Sequence, residues 1–206
     1  MTRISIFTTA IAASAFALAA CSSDGAPAEN VAAVGDGGAG DNSAIVSTGS
    51  GNSMAGVPQS VSLNGPDGVL LGSVTVSEDP SGLVMNLTGV GLPPGSHGMH
   101  LHEKGLCNGP KFESAGSHWN PTTKQHGRDN PAGAHAGDLV NLTVAANGTA
   151  NTSIPVAGAK VATGSLILAD ADGTSLVIHA KADDYRTDPS GASGDRIACA
   201  VLAPPK

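Results

Sequence analysis

Residues 57–95 read VPQSVSLNGPDGVLLGSVTVSEDPSGLVMNLTGVGLPPG, and this stretch decides the fold. Three runs rich in β-favouring residues, at 57–63, 69–77 and 83–90, alternate with clusters of Gly, Pro, Asn and Asp. The first of these clusters, NGPDG at 64–68, has the composition of a tight turn between strands. The stretch therefore predicts consecutive antiparallel strands joined by short turns.

The same pattern continues toward the C-terminus, and no amphipathic helix follows residue 21. It predicts an all-β fold, an eight-stranded Greek-key antiparallel β-sandwich or barrel. Segments 103–137 and 181–195 are long and without periodicity, which is typical of functional loops. The further strand signals lie at 97–102, 139–145, 149–154, 166–168, 175–180 and 197–202.

The composition is that of a folded chain that does not bind nucleic acid. Hydrophobic residues make up 40% and charged residues 13%, which excludes a charged disordered chain. Only 2% are aromatic, so the core must be built from aliphatic side chains. The net charge is −7 with no Lys/Arg cluster, which excludes nucleic acid as a partner. Any attraction of an anion must therefore be local.

The first twenty residues have the features of an export signal. Arg3 precedes a mostly apolar run at 4–18, which is too short and too rich in Ala and Ser for a membrane span. The sequence LAAC at 18–21 resembles the lipobox of bacterial lipoproteins. This resemblance implies cleavage before Cys21 and a lipid on that cysteine. The alternative is a plain secretory signal with Cys21 as a bystander.

Two further segments follow the signal peptide. Residues 21–56 are rich in Gly, Ala, Ser and Asn and show no periodicity, so we expect a flexible tether. Residues 57–206 form the predicted folded domain. If Cys21 carries lipid, Cys107 and Cys199 remain as one pair, which an oxidising compartment would join. Two free buried thiols are the alternative.

Histidines are concentrated in the predicted loops and at strand ends. On one strand, His100 and His102 share a face because residues i and i+2 point the same way. Such a pair makes half of a metal site, although a solvated surface pair is equally typical of this motif alone. His179 ends a later strand and can complete that set, with Asp183 four residues on. Copper(II) has high affinity for all-imidazole sites.

A second group of metal-ligating residues lies on the long loop. Three imidazoles and one carboxylate form a full tetrahedral set for zinc, which leaves no position for water and is typical of a structural site. Such a site would also order the loop. Histidines scattered over a solvated loop are the alternative. The four residues are His118, His126, His135 and Asp138.

Five motifs, taken in order, resemble the copper–zinc superoxide dismutases. They are GMHLHE at 98–103, SAGSHWNP at 114–121, HAGDL at 135–139, HAKADD at 179–184 and GDRIAC at 194–199. The resemblance covers roughly residues 57–204, and the short spacing from His102 to Cys107 looks like the bacterial periplasmic branch. The segment YRTDP at 185–189 departs from the pattern, since it carries both signs of charge.

The resemblance implies a role for each matching position. His118 would bridge the two metals as an imidazolate, Asp183 would hydrogen-bond one copper and one zinc histidine, and Arg196 would draw superoxide to the copper. His97 would be structural, and Cys107 and Cys199 would form a disulfide. The implied copper ligands are His100, His102, His118 and His179; the implied zinc ligands are His118, His126, His135 and Asp138.

The implied activity is dismutation of superoxide to oxygen and hydrogen peroxide by one-electron cycling of copper. One copper and one zinc ion per subunit are the implied cofactors. The alternative is a non-enzymatic copper- or zinc-binding protein of the cell envelope on the same fold. We expect the protein in the envelope of a Gram-negative-type bacterium, in the periplasm and anchored to a membrane through Cys21. Monomer and homodimer both remain open.

Overall fold

The computed structural model describes residues 59–206, and the predicted signal peptide, Cys21 and the tether at 21–56 lie outside the described residues. The only helical element in 59–206 is a three-residue 3-10 turn, Glu113–Ala115. The strands of this part are β1 Gln59–Asn64, β2 Leu70–Asp79, β3 Gly82–Gly89, β4 Gly95–His97, β5 Met99–His102, β6 Leu142–Val144, β7 Ala150–Ala157, β8 Thr174–His179 and β9 Arg196–Ala203.

All strand pairings are antiparallel, which confirms the all-β prediction. Seven strands form a curled sheet in the order β5-β8-β9-β1-β2-β3-β7, and β4 and β6 form a separate pair. Strand β3 is followed in the sheet by β7 because the chain leaves to make β4, β5 and β6 first. Strand β5 stands first in the order and pairs only with β8, so it is an edge strand of the large sheet.

The hairpin between β2 and β3 shows how turn residues fix this order. The Oδ1 atom of Asp79 accepts hydrogen bonds from the backbone N–H groups of Ser81 and Gly82 at 2.7 and 3.0 Å. Gly82 has φ 152°, and a Cβ there would lie 2.4 Å from the backbone oxygen of Val156 on β7. Only glycine allows β3 and β7 to approach so closely at this position.

The core lies between the inner faces of the strands and is almost entirely aliphatic. Its fully buried side chains include Leu63, Met85, Leu101 and Ile178. Trp119, the one tryptophan of the chain, is also packed in this cluster. Leu101 lies between the two histidines of β5, so packing of its side chain fixes the opposite direction for both imidazoles.

Two strand predictions differ from the structure. The run at 97–102 is divided at Gly98, with β4 paired to β6 and β5 paired to β8. A Cβ at Gly98 would lie 2.8 Å from the Cβ of Ser193, so the second long loop passes close to this break. The run at 166–168 is not a strand, because only Ile167 makes an isolated bridge, to Lys160.

The disulfide between Cys107 and Cys199 is present, as expected. Cys199 lies on β9 and Cys107 lies near the start of the first long loop. Both pack with Phe112, Ala115 and Val177 in a second, smaller core cluster outside the main one. The disulfide and this cluster therefore fix residues 107–116 against the outer face of the sheet.

Within residues 59–206, no helix has the length and apolar character needed to cross a membrane.

Candidate metal centre

The edge strand β5 organises the centre, because its backbone pairs with the first long loop. Leu101 accepts a hydrogen bond from the N–H of Trp119 at 2.8 Å and donates one to the oxygen of Gly137 at 2.9 Å. Isolated bridges pair His102 with His118 and His100 with Asp138. The loop therefore supplies His118 and Asp138 directly beside the two histidines of β5. A Cβ at Gly137 would lie 2.6 Å from the oxygen of Leu101, so glycine is required for this contact.

Four imidazoles converge on the first of two clusters, the copper-side cluster. One ring nitrogen from each of them lies within 4.8 Å of the others, and all four side chains are buried. Each ring has one buried nitrogen without a hydrogen-bond partner, which is costly unless another group binds there. These atoms are Nδ1 of His100 and Nε2 of His102, His118 and His179.

The opposite ring nitrogen of three of these histidines faces an acceptor that fixes the tautomer. A carbonyl or carboxylate oxygen can only accept, so the nitrogen facing it carries the proton and the partnerless nitrogen keeps its lone pair. The set therefore fits a metal that prefers imidazole, such as copper. The contacts are His100 Nε2 to Asp183 Oδ2 at 2.7 Å, His102 Nδ1 to Gly116 O at 3.0 Å and His179 Nδ1 to Gly194 O at 3.1 Å.

The second cluster, the zinc-side cluster, surrounds the carboxylate of Asp138. The Nδ1 atoms of His118, His126 and His135 lie 3.1, 3.0 and 3.2 Å from its Oδ1 atom. The Nδ1 atoms of His118 and His135 are 3.4 Å apart. Around zinc with bonds of about 2.0–2.1 Å, tetrahedral ligands lie about 3.3 Å from each other. The donor atoms and their spacing therefore fit zinc.

The direction of the His126 ring gives a separate indication that this side of the centre suits a metal. Its Nδ1 atom is 3.0 Å from Asp138 but not aligned for a hydrogen bond, so it has no partner. The group whose donor atoms all lie within 4.8 Å of one another on this side consists of His100, His118, His126 and Asp138. His100 enters it because its ring stacks on His118 at a centroid distance of 3.9 Å. His135 is outside that group and joins this side through the contacts of its Nδ1 atom with His118 and Asp138. The Nε2 atom of His100 is hydrogen-bonded to Asp183, and its free Nδ1 belongs to the copper-side cluster.

Asp183 connects the two clusters. Its Oδ2 atom accepts from His100 Nε2 at 2.7 Å, and its Oδ1 atom accepts from His126 Nε2 at 3.0 Å. The carboxylate is almost completely buried, with 1% of the side chain exposed. The carboxylate therefore bonds one histidine on each side.

The electrostatics of the copper-side cluster favour neutral imidazoles. Burial lowers the pKa of His118 to about 4, against the opposing effect of the hydrogen bond that its ring donates to Asp138. Burial also lowers the pKa of His179 to about 3, helped by the nearby His100. Burial, followed by the charges of His118 and Arg196, lowers the pKa of His102 well below its usual value. At neutral pH these rings have free lone pairs for a metal.

The zinc-side cluster has the opposite tendency. Burial lowers the pKa of His126, but the adjacent carboxylates of Asp138 and Asp183 outweigh it and raise this pKa to about 9. Burial raises the pKa of both carboxyl groups, but their histidine partners outweigh it and hold each pKa well below the usual value. At neutral pH, His126 is therefore a protonated, positively charged imidazole in the metal-free protein, and a metal that binds it must displace a proton.

Arg196 begins β9 and lies beside the copper-side cluster. Its guanidinium donates to the oxygen atoms of Phe112 and Gly116, both at 2.6 Å. Gly116 also accepts from His102, so one carbonyl group separates the arginine from that histidine. Burial lowers the pKa of Arg196, but arginine remains charged in proteins. Among residues 59–206, neither Asp195 nor Asp184 forms an ion pair with it.

His97 lies apart from both clusters, as expected for a structural residue. Its Nδ1 and Nε2 atoms face the backbone oxygens of His179 and Pro93, each at 2.8 Å. Both ring nitrogens are therefore used in joining β4 to the end of β8 and to the preceding turn.

Three residues around Asp183 and His126 were missed by sequence reasoning. Asn141 bonds the backbone of Asp183, Tyr185 donates its own N–H to the carboxylate, and Asp188 accepts from the N–H of His126 at 2.6 Å. In the sequence, the segment at 185–189 stands out only as a departure from the family pattern. Its contacts depend on the fold of two loops, and no spacing in the sequence indicates them.

The fold and the two adjoining clusters define a β protein with a paired, histidine-rich metal centre. A family model described as copper/zinc superoxide dismutase (SODC) matches residues 70–202. The chain belongs to the copper/zinc superoxide dismutase family.

Several relatives agree with this assignment. A copper–zinc superoxide dismutase of Caulobacter vibrioides is 46% identical over 66% of this chain and 80% of its own length. A superoxide dismutase-like protein of Bacillus subtilis is 44% identical over 69% of this chain and 74% of its own length.

Solved structures show the same fold. One is a double mutant of a superoxide dismutase-like protein of Bacillus subtilis, in which a tyrosine and a proline are replaced by histidine. Its TM-score is 0.68 and its sequence identity 44%, and the match covers 70% of this chain and 96% of that chain. The copper/zinc superoxide dismutase of Brucella abortus has a TM-score of 0.56 and 31% identity, covering 71% of this chain and 99% of that one.

The pKa shifts predict that the metal-free protein is most stable near pH 6.5. Because the pKa values of His102, His118 and His179 are lowered, the unfolded chain binds more protons below pH 6.5, and stability falls toward pH 4. Because the pKa of His126 is raised to about 9, the folded state holds an extra proton from pH 6.5 to 9, and stability also falls as pH rises through this range.

Urea unfolding of chelator-treated protein between pH 4 and 9 measures this dependence. The acid decline should be steeper, since three histidines contribute to it, and His126→Gln should remove most of the alkaline decline. A stability that rises steadily across the range would contradict the assigned shifts.

Proposed function

We propose that the protein catalyses dismutation of superoxide, converting two superoxide anions and two protons to oxygen and hydrogen peroxide. In this proposal the copper-side cluster of His100, His102, His118 and His179 holds copper. The zinc-side cluster of His118, His126, His135 and Asp138 holds zinc. When bound, copper supplies the Cu(II)/Cu(I) couple that this one-electron chemistry requires. The observation that carries the proposal is that His118 directs one ring nitrogen into each cluster.

The two nitrogens of His118 would have different tasks. Nδ1 is engaged in the cluster around Asp138 and fixes the ring, while Nε2 has no protein partner. A cation bound at one ring nitrogen favours loss of the proton from the other. We therefore assign Nε2 as the atom that takes up a proton during turnover and delivers it to the departing peroxide.

Arg196 is proposed to bind the anionic substrate. Two of its five N–H groups are used by carbonyl groups, which hold the guanidinium at a fixed position beside His102. This leaves charged donors for an oxyanion. The chain as a whole has a net charge of −7, so a fixed local cation is needed to bring the anion to the centre.

A copper- or zinc-binding protein without catalytic activity is the second candidate. Such a protein needs ligands but has no use for a charged guanidinium beside the copper-side cluster. The complete set of four imidazoles together with Arg196 favours the enzyme.

Metal analysis of ligand variants tests whether His118 is shared. His118→Ala should lose both copper and zinc and should abolish activity, because it removes a donor from each cluster. His179→Ala should lose copper and retain zinc, and His135→Ala should lose zinc first. Copper and zinc contents measured by mass spectrometry, with superoxide-driven dye reduction as the activity, distinguish these outcomes. A His118→Ala variant that keeps either metal at wild-type content would argue against a shared ligand.

Substitution of Arg196 tests its role in substrate binding. Arg196→Ala should slow turnover by about 10-fold or more, the range associated with local electrostatic steering, and should leave metal content unchanged. Arg196→Lys should restore part of the rate, because it keeps the charge but not the planar donors. The rate of the Ala variant should also depend less on ionic strength. An unchanged rate in Arg196→Ala would remove the proposed role.

We further propose that the mature protein begins at Cys21, carries a lipid there, and is held at a membrane of the bacterial envelope by the tether at 21–56. Export agrees with a disulfide joining Cys107 and Cys199, since such bonds persist in oxidising compartments.

Cys21→Ala tests the anchor. The wild-type protein should enter the membrane fraction and incorporate labelled fatty acid, and the variant should do neither, because it lacks the acceptor thiol. The folded domain should retain its Cys107–Cys199 disulfide in both. Recovery of unlabelled wild-type protein from the soluble envelope fraction would favour a plain secretory signal.

A further inference from the structure

We propose that Tyr185 is a positioning residue that aligns the Asp183 carboxylate between the two clusters, and so controls how tightly the zinc-side cluster retains its metal. This inference rests on the proposed function, since it takes the zinc ligands from it. Tyr185 itself contacts none of the proposed metal ligands through its side chain.

Tyr185 is held in an unusual conformation by contacts with both long loops. Its φ angle of 61° lies in the left-handed region, which side-chain-bearing residues rarely adopt. Its backbone oxygen accepts from the N–H of Asp129 at 3.1 Å. A Cβ at Gly127 would lie 2.1 Å from the same oxygen, so the loop that carries His126 passes directly against Tyr185. The guanidinium of Arg128 lies 5.4 Å from the centre of the tyrosine ring, in a cation–π contact.

Two hydrogen bonds join Tyr185 to the carboxylate and to the approach to β6. Its own N–H donates to Asp183 Oδ1 at 2.6 Å, the same oxygen that accepts from His126. Its hydroxyl oxygen accepts from the backbone N–H of Asn141 at 2.8 Å. The tyrosine therefore links Asn141, the residue before β6, to the bridging carboxylate.

Asn141 completes a closed arrangement. Its side-chain Oδ1 accepts from the N–H of Asp183 at 2.8 Å, and its Nδ2 donates to the oxygen of Asp183 at 2.9 Å. The backbone of Asp183 is thus held on both sides, and Tyr185 fixes Asn141 in turn. Residues that bond and orient metal ligands, as Asp183 would, commonly affect metal affinity by about 10–100-fold. Tyr185 is one contact further away, so we expect the lower end of this range.

Tyr185→Phe is the matched variant, because it deletes only the hydroxyl and keeps the ring for Arg128. The purified full-length mature protein, loaded with copper and zinc, is challenged with a chromogenic zinc chelator. Tyr185→Phe should release zinc about 10-fold faster than wild type. With cobalt(II) in place of zinc, its visible ligand-field bands should shift. Thr187→Val is the control, since the side-chain hydroxyl of Thr187 bonds only Asp184 in the same exposed loop, and it should match wild type in both measurements.

A second background separates positioning from a general loosening of the loop. In Asp183→Asn protein the bridging carboxylate is already lost, so adding Tyr185→Phe should not accelerate zinc release further. The inference is overturned if Tyr185→Phe releases zinc at the wild-type rate, if Thr187→Val accelerates release equally, or if the Tyr185→Phe effect is undiminished in Asp183→Asn. Wild-type protein that binds no zinc would instead overturn the proposed function together with this inference.

Discussion

The whole centre depends on one property of imidazole: its two nitrogens face opposite ways, so one ring can belong to two clusters. His118 is placed to use both nitrogens, because the loop that carries it pairs with the backbone of β5. The pairing sets His118 beside His102, and the ring stacks on His100 at 3.9 Å between centroids. An edge strand with unused hydrogen-bonding groups is commonly a hazard. In this chain the edge of β5 is covered by the loop that completes the centre.

Burial of so many polar rings is unfavourable unless their free nitrogens find partners. Five buried ring nitrogens within residues 59–206 have none, and all belong to the histidines of the two clusters. Protein groups satisfy only the opposite ring nitrogen, through hydrogen bonds to Asp183, Gly116 and Gly194. The fold thus holds the histidines in the orientation that a metal needs at a cost in free energy that metal binding offsets. Metal content and stability should therefore be tightly linked in this protein.

Sequence reasoning selected the histidines, Asp138, Asp183 and Arg196 as candidates, because their chemistry and spacing are visible in the chain, and the structure brings these side chains close together. It also predicted β1, β2 and β3, where turn residues separate β-favouring runs. It treated 97–102 as one strand, because alternation continues across Gly98, whereas pairing with two different partners divides it. The face of β5 that carries the two histidines is also buried, because the two long loops cover it.

The residues that orient the candidate ligands could not be predicted from the sequence. Gly116 and Gly194 act through backbone oxygens, which every residue has, so their roles follow from the fold alone. Asn141 and Tyr185 meet across more than forty residues of chain, and neither stands in a pattern with the ligands. The contacts that orient the ligands are therefore harder to predict than the ligands themselves, since they depend on how two irregular loops pack together.

The most direct measurement of the central claim is a crystal structure of the metal-loaded protein with anomalous diffraction recorded at the copper and zinc absorption edges. The account predicts two distinct peaks, copper beside Nε2 and zinc beside Nδ1 of the same His118 ring, with a zinc–nitrogen bond length of about 2.0–2.1 Å. Peaks too far apart for one ring to reach both, or a His118 side chain turned toward solvent, would contradict it.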